Sequence, residues 1–346
     1  MNWVRGDSLG TGSFATVNIA VPTNASTLLP SLMAAKSSHA HTSCMLKHEK
    51  QLLDRLASSP YIINCFGHDH TVENGEEFYN IFLEYAAGGS LADQVKIHGG
   101  RLPEPYVRRC TRTIVEGLNH IHASGIVHGD LKLENILVFD NGDVKIADFG
   151  LGKEKGEKQR KLECRGTPLF MSPELVNENE CESPADIWAL GCAVVEMITG
   201  KPAWEVDGSN MWSLLIRIGV GEELPKIPEE LSEEGKDFLL KCLVKEAEKR
   251  WSAEMLLNHP FIKADADTFW FDKVNERLLL PSPRTHFDFL HRASTVTVSA
   301  PSSPDSEDWH MRELGSSCSA ESRVQRLLTN ERPEEWSESE GWTRVR

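Results

Sequence analysis

The segment His128-Gly-Asp-Leu-Lys-Leu-Glu-Asn-Ile-Leu-Val138 gathers three chemically useful side chains, and Asp148-Phe-Gly150 begins 18 residues after Asp130. Asp130 is a carboxylate able to accept a proton from a hydroxyl. Lys132 can neutralise negative charge on a group in transfer. Asn135 and Asp148 offer hard oxygen ligands, which suit Mg²⁺ carrying nucleotide phosphates. Asp-Phe-Gly alone is common, but His-x-Asp-x-Lys-x-x-Asn followed by it at this interval points to one site.

Two earlier signals fit the same chemistry. Leu9-Gly-Thr-Gly-Ser-Phe-Ala-Thr-Val17 places a glycine-rich turn between two strand-like segments. Glycine has no Cβ, so the backbone amides of Gly10, Thr11, Gly12, Ser13, Phe14 and Ala15 could approach phosphates; alone, the pattern is equally a tight hairpin. It leads into a strand rather than a helix, which argues against a dinucleotide-binding turn. The second signal is Ala34-Ala35-Lys36 on a third strand, with Glu49 on the helix that follows. Glu49 falls on the helical stripe Leu46–Glu49–Leu53–Leu56, so its carboxylate faces inward, which is costly without a partner. Lys36 is the natural partner and would then reach phosphate oxygens; a solvated Glu49 on a slightly rotated helix is the other reading.

These side chains need elements to hold them. Trp3, Val4, Leu9 and the alternating TVNIAV predict paired strands up to about residue 21. Residues 43–57 predict a helix with Ser43 as cap, ended by Pro60. YIINCFG and NIFLEYA predict two more strands joined by the solvated turn ENGEE. From Ala86 the pattern becomes helical: GGSLADQVKIHG, then EPYVRRCTRTIVEGLNHIHASG with Gly125 closing its end. GIVHG with ENILV, and DVKIADFG, predict short strand pairs about the turn Asn141-Gly142. Residues 185–199, 209–218, 232–243 and 252–257 predict further helices. Beyond Lys263, serine, proline and glutamate rise, and most of 281–346 is expected to be disordered.

Bulk properties bound the class. The chain has 346 residues, 40% of them apolar and 26% charged, enough for a sizeable core in about two domains or lobes. No run approaches the ~18 apolar residues of a membrane span, and MNWVRGDSLG has no apolar signal region. Eight cysteines without metal-ligand spacing exclude a disulfide scaffold and suggest a reducing compartment. A net charge of −15 disfavours nucleic acid and anionic membranes as partners. The expectation is a soluble, acidic, intracellular protein.

Together, residues from about 3 to 262 resemble the eukaryotic protein kinase domain from end to end. Gly166-Thr-Pro-Leu-Phe-Met-Ser-Pro-Glu174, Asp186-Ile-Trp-Ala-Leu-Gly191 and Arg250 ahead of His259-Pro-Phe-Ile262 add to the motifs above. Lys132 and Thr167 match the serine/threonine type; Ser172 stands where alanine is usual. The resemblance implies an α+β, bilobal fold. A small, mainly antiparallel β lobe with one key helix would span 1–85, a larger, mainly helical lobe 86–262, and a regulatory or docking tail 263–346. It implies ATP between the lobes, with adenine against backbone at Glu84 and Ala86, covered by Leu9, Val17, Ala34 and Leu137, and Leu83 as gatekeeper. Gly10–Ala15 would arch over the phosphates, Lys36 held by Glu49 would contact them, and two Mg²⁺ ions would lie on Asp148 and Asn135. Asp130 would orient the incoming hydroxyl, with Lys132 beside it. Glu174 would pair with Arg250, Asp186 would steady the catalytic loop, and Thr167 would bond Asp130 and Lys132.

The opening WVRGDSLGTGSFATVNIA, FLEYAAGGSL, HGDLKLENILV and GTPLFMSPEL are similar to the plant MEKK-like MAP kinase kinase kinases, in their short kinase-plus-tail forms. That implies MAP kinase kinases as substrates, an abscisic-acid and stress cascade, and a cytoplasmic or nuclear location, with no nucleic acid partner and no membrane insertion. A kinase of the same group with other substrates is the alternative. A pseudokinase scaffold would require loss of Lys36, Asp130 or Asp148, and all three are present.

The residue before Asp130 is Gly129, where many kinases carry an arginine that receives an activation-segment phosphate. No Ser, Thr or Tyr lies between Leu151 and Arg165. The expectation is an enzyme independent of phosphorylation there, its basic segment held instead by acidic groups on the helical lobe or a partner. Cys164 is read as inert rather than a lowered-pKa thiol, and His39, His41, His48, His68 and His70 as surface residues rather than a metal site. Trp309, Trp336 and Trp342 in the tail suggest a protein partner or packing on the kinase lobe, and Ser282-Pro283 and Ser303-Pro304 are minimal sites for proline-directed kinases.

Overall fold

The computed structural model describes residues 2–12, 14–23, 29–57, 59–157, 166–205 and 211–263. Strands β1 (Trp3–Thr11) and β2 (Thr16–Pro22) form the first hairpin, with Thr11 opposite Thr16 at its tip. β3 (Met33–His39) is poor in β-formers, but it is central and packed on both faces, so tertiary burial decides its state. Helix α1 (Cys44–Leu56) buries Leu46, Glu49, Leu52, Leu53 and Leu56, the predicted stripe with one addition. Ser43 does not cap it: the chain enters through a 3₁₀ turn, and the Ser43 hydroxyl donates to the Ala40 carbonyl at 2.7 Å instead.

Strands β4 (Cys65–Glu73) and β5 (Glu76–Glu84) turn at Asn74-Gly75, both with positive φ, the conformation of a tight hairpin turn. The predicted strand at YIINCFG thus begins only at Cys65. Tyr61–Ile63 instead tie the small lobe to Ile146: the Ile63 N–H donates to its carbonyl at 3.0 Å, and its N–H donates to Tyr61 at 2.9 Å. The sheet order is β1-β2-β3-β5-β4. Its curl brings the two edges together, because Arg5 on β1 reaches Glu73 on β4 at 2.7 Å, Asn80 on β5 at 3.0 Å and Ser37 on β3 at 2.8 Å.

The larger lobe opens with α2 (Leu91–Ile97), started by a reciprocal Ser90–Asp93 capping box, and α3 (Glu104–Ala123). Gly125, at φ +70°, carries the chain away from α3 as predicted. β6 (Ile126–Val127) does not pair with the neighbouring strand; β7 (Ile136–Val138) pairs with β8 (Val144–Ile146) around Asn141-Gly142, and β6 pairs with β9 (Lys153–Glu154). Short apolar runs specify a strand but not its partner, and here the loop between β6 and β7 turns inward to form the site.

α4 (Pro173–Glu178), α5 (Ser183–Thr199), α6 (Met211–Gly219), α7 (Glu233–Cys242), α8 (Ala253–Leu256) and α9 (Pro260–Lys263) complete the lobe. α5 is buried nearly all round and is the lobe's spine. Ser172, unusual for its position, caps α4 by accepting the Leu175 N–H at 3.4 Å. Arg250 forks onto Glu174 at 2.8 and 3.0 Å, fixing α4 to the chain that follows α7. No helix among the described residues is long and apolar enough to cross a membrane. Ser13, residues 158–165 of the activation segment (Cys164 among them) and the tail from 264 lie outside the described residues.

Candidate active site

Lys36 stands in mid-β3, opposite Val17 on β2 and Ile81 on β5. Its ammonium meets Glu49 Oε2 at 2.7 Å, Glu49 Oε1 at 2.9 Å and Asp148 Oδ1 at 2.9 Å. Glu49 is 1% exposed, so its carboxylate would be untenable without this cation. Burial pulls the Lys36 pKa down, but the Glu49 and Asp148 carboxylates outweigh it and hold the group above the ordinary lysine value. Burial likewise pushes the Glu49 carboxyl up, against the pull of Lys36. Asp148 adopts φ +63°, uncommon for a non-glycine residue, and is held there by Lys36 and the Gly150 N–H at 3.3 Å. Burial would raise its pKa, but Lys36 and the Gly150 N–H bring it down to about 2, so Asp148 is a carboxylate across the physiological range.

The second cluster lies on the loop between β6 and β7. Asp130 Oδ1 accepts from the Thr167 hydroxyl at 2.7 Å and the Thr167 N–H at 3.0 Å. Asp130 Oδ2 faces the Lys132 ammonium at 2.8 Å and the Asn135 amide at 3.1 Å. Lys132 also donates to the Thr167 hydroxyl at 2.8 Å, so one hydroxyl bridges both residues. Because Asn135 uses its amide nitrogen on Asp130, its amide oxygen is the atom that could coordinate a cation. Asp186, 1% exposed on α5, accepts the N–H groups of His128 and Gly129 at 2.9 Å each and the His122 ring at 2.9 Å. The clusters are joined by the Ala147 N–H donating to the Asn135 carbonyl at 2.8 Å, which sets Asp148 beside the loop.

The remaining predicted residues line one wall. Buried Ala34 and Leu83 face each other across β3 and β5, with Leu9, Val17 and Leu137 packed against the same core. The Gly12 N–H closes the β1–β2 tip on the Ala15 carbonyl at 2.9 Å; Phe14 projects into solvent at 65% exposure. After Glu84 the chain passes Ala86 and is zipped to β7: the Gly88 N–H donates to the Val138 carbonyl at 3.0 Å, and the Val138 N–H donates to Gly89 at 2.8 Å. Gly88 is required there, since a Cβ would lie 2.8 Å from the Val138 carbonyl.

A cationic Lys36, two ionised or carbonyl oxygens on Asp148 and Asn135, and a carboxylate beside an ammonium on Asp130 and Lys132 form a donor set fitted to a metal-bound polyphosphate and a hydroxyl acceptor. Residues 3–262 match the sequence profile of the protein kinase domain, and the chain belongs to that family. Within it, the chain is a serine/threonine kinase of the MAP kinase kinase kinase group. It is 49% identical to mitogen-activated protein kinase kinase kinase 20 of Arabidopsis thaliana over the full length of both chains. It is 43% identical to kinase kinase kinase 17 of the same plant over 77% of this chain and 71% of that one, and 45% identical to number 18 over 76% and 78%.

Some contacts at the site carried no signal in the sequence. Glu84 is locked by Lys145 at 2.7 Å and Asn64 at 3.1 Å, which fixes the chain connecting the lobes. His48 on α1 meets the Gly152 carbonyl at 2.9 Å, and Glu182 grips Lys153 at 2.6 Å. Glu182 sits among Glu178 and Glu180 in a run that reads as solvated surface, so only the fold distinguishes it.

Proposed function

We propose that this chain phosphorylates MAP kinase kinases on serine or threonine, as one tier of a plant hormone and stress cascade. The observation that carries the reading is the full-length likeness to a named kinase kinase kinase, joined to an intact Lys36–Glu49–Asp148 and Asp130–Lys132–Thr167 constellation. The abscisic-acid branch rests on the resemblance to the short plant forms. When bound here, ATP supplies the transferable phosphoryl group and Mg²⁺ neutralises its oxygens.

The chain's own residues do the rest. Glu84 and Ala86 offer backbone to the adenine edge, with Leu9, Val17, Ala34 and Leu137 on its faces and Leu83 behind it. The Gly10–Ala15 tip covers the phosphates. Lys36 would orient them, and Asp148 and the Asn135 amide oxygen would hold the metal. Asp130 aligns the acceptor hydroxyl and takes its proton, while Lys132 balances charge on the group in transfer. Little covalent work falls to the protein, so positioning and charge supply most of the acceleration. Among the described residues the buried free thiols Cys110, Cys181, Cys192 and Cys242 suit the reducing cytoplasm or nucleus. The tail beyond 263 is proposed to dock a protein partner, on the strength of its tryptophans and acidic composition.

The test is in vitro phosphorylation of a panel of purified MAP kinase kinases by the full chain, with Asp130→Asn as control. Transfer to one or more panel members on activation-segment Ser or Thr is the expected result. Transfer to generic substrates alone would move the chain to another pathway.

A further inference from the structure

Glu182 directly precedes α5 and belongs to none of the motifs above. Its carboxylate takes the Lys153 ammonium at 2.6 Å and the Gly156 N–H at 3.1 Å. Lys153 is only 7% exposed, and its ammonium also donates to the Glu157 carbonyl at 2.7 Å. A buried ammonium requires an anion close by. The Glu157 N–H returns to the Glu154 carbonyl at 3.1 Å, so the chain just after Asp148-Phe-Gly150 is wrapped around one carboxylate.

Two structural relations give this contact reach. Asp186, one helical turn after Glu182, holds the N–H groups of His128 and Gly129, so one end of α5 references both the catalytic loop and the activation segment. Adjacent strand residues face opposite ways. On β9, Lys153 faces α5, and Glu154 faces the small lobe, meeting Arg55 of α1 at 2.6 Å. Arg55 also donates to the Ser124 carbonyl at 3.2 Å, and His48 on the same helix meets Gly152. α1, which carries Glu49, is thereby tied through β9 to α5.

At Gly129 the chain has φ +76°, and a Cβ would lie 3.1 Å from the Leu151 carbonyl. That position contributes no cation to pair with a phosphate. Among the described residues of this corner the cation is Lys153, and its anion, Glu182, is already part of the chain.

We propose that Glu182 is a positioning residue, a permanent internal substitute for an activation-segment phosphate. By holding Lys153 it fixes β9 and keeps Glu49 on Lys36. The proposal rests on the reading of the chain as an active kinase.

The test uses full-length protein made in bacteria and exhaustively dephosphorylated, assayed on myelin basic protein, with Glu182→Gln, Glu182→Asp, Lys153→Met and the Glu182→Gln/Lys153→Met double variant. Dephosphorylated wild type should keep most of its activity. Glu182→Gln should lose on the order of tenfold in kcat. Its KM for ATP should stay within about twofold of wild type, because nucleotide contacts are untouched. Glu182→Asp should recover part of the loss, and the double variant should be no worse than the worse single. A purely structural role would lower the melting temperature but leave kcat per folded molecule unchanged, and that result overturns the proposal. So does an activity that dephosphorylation abolishes, or single losses that simply add. A wild type that transfers no phosphate overturns the kinase reading itself.

Discussion

The Thr167 hydroxyl lies 2.7 Å from Asp130 Oδ1 while accepting from Lys132 at 2.8 Å. The far end of the activation segment is thereby bonded directly to the residue proposed to receive the substrate proton. A phosphate on Thr167 would remove the donor and set a dianion against Asp130. Thr167→Ala should lower kcat by roughly 10²-fold, the scale of a small misplacement of the reacting groups, and Thr167→Ser should restore most of it. Initial rates on a generic protein substrate check this; an Ala variant with wild-type kcat would refute it.

Lys36 bears on stability as well as transfer. Asp130→Asn and Lys36→Met should each cost at least ~2.7 kcal/mol of transition-state stabilisation, about 10²-fold in rate. Only Lys36→Met leaves Glu49 buried without its cation, a loss on the order of 3–5 kcal/mol in stability. Its melting temperature should therefore fall well below that of Asp130→Asn. Adding Glu49→Gln should raise it again without restoring activity. Thermal melts of the three variants decide the point.

Gly88 tests the link between the lobes. The Cβ of Gly88→Ala would press on the Val138 carbonyl and move Glu84–Ala86 relative to Leu137. KM for ATP should rise several-fold, with kcat at saturating ATP nearly unchanged. An unchanged KM would show that this stretch does not set the adenine site.

Glu196 on α5 gives a pH signature. Burial, with Glu134 adding repulsion against a weaker pull from Lys96, raises its carboxyl to about 7. Between its ordinary value of 4.5 and 7 the folded chain holds a proton that the unfolded chain has released, so stability falls as pH rises through that window. The loss is at most about 3 kcal/mol. Glu196→Gln should melt close to wild type at pH 5 and a few degrees above it at pH 8. Parallel melting curves for the two proteins across that range would contradict the assignment.

Charge placed against pattern was what the sequence exposed best. Glu49 on an otherwise apolar stripe demanded a cation, and Lys36 supplies it. Asp130, Asn135 and Asp148 were legible because oxygen donors at that interval have few other uses. Contacts made by chance of folding were not legible. Tyr61–Ile63 has strand composition, but its backbone bonds go to Ile146. Ser43 has a capping side chain, but a 3₁₀ turn takes its hydroxyl. Lys153 and Glu182 are 29 residues apart. Periodicity tells which way a side chain faces, not which distant charge it meets.

Leu83 carries a practical consequence. It is buried at 6% exposure and stands opposite Ala34 at the closed end of the proposed adenine seat. Trimming it to glycine would exchange about 2–5 kcal/mol of packing for a hollow behind the base. An ATP analogue with a benzyl group on its exocyclic amine would fit that hollow and no kinase with an intact back wall. A tagged γ-phosphoryl on such an analogue would then label the direct targets of this enzyme alone in an unfractionated extract.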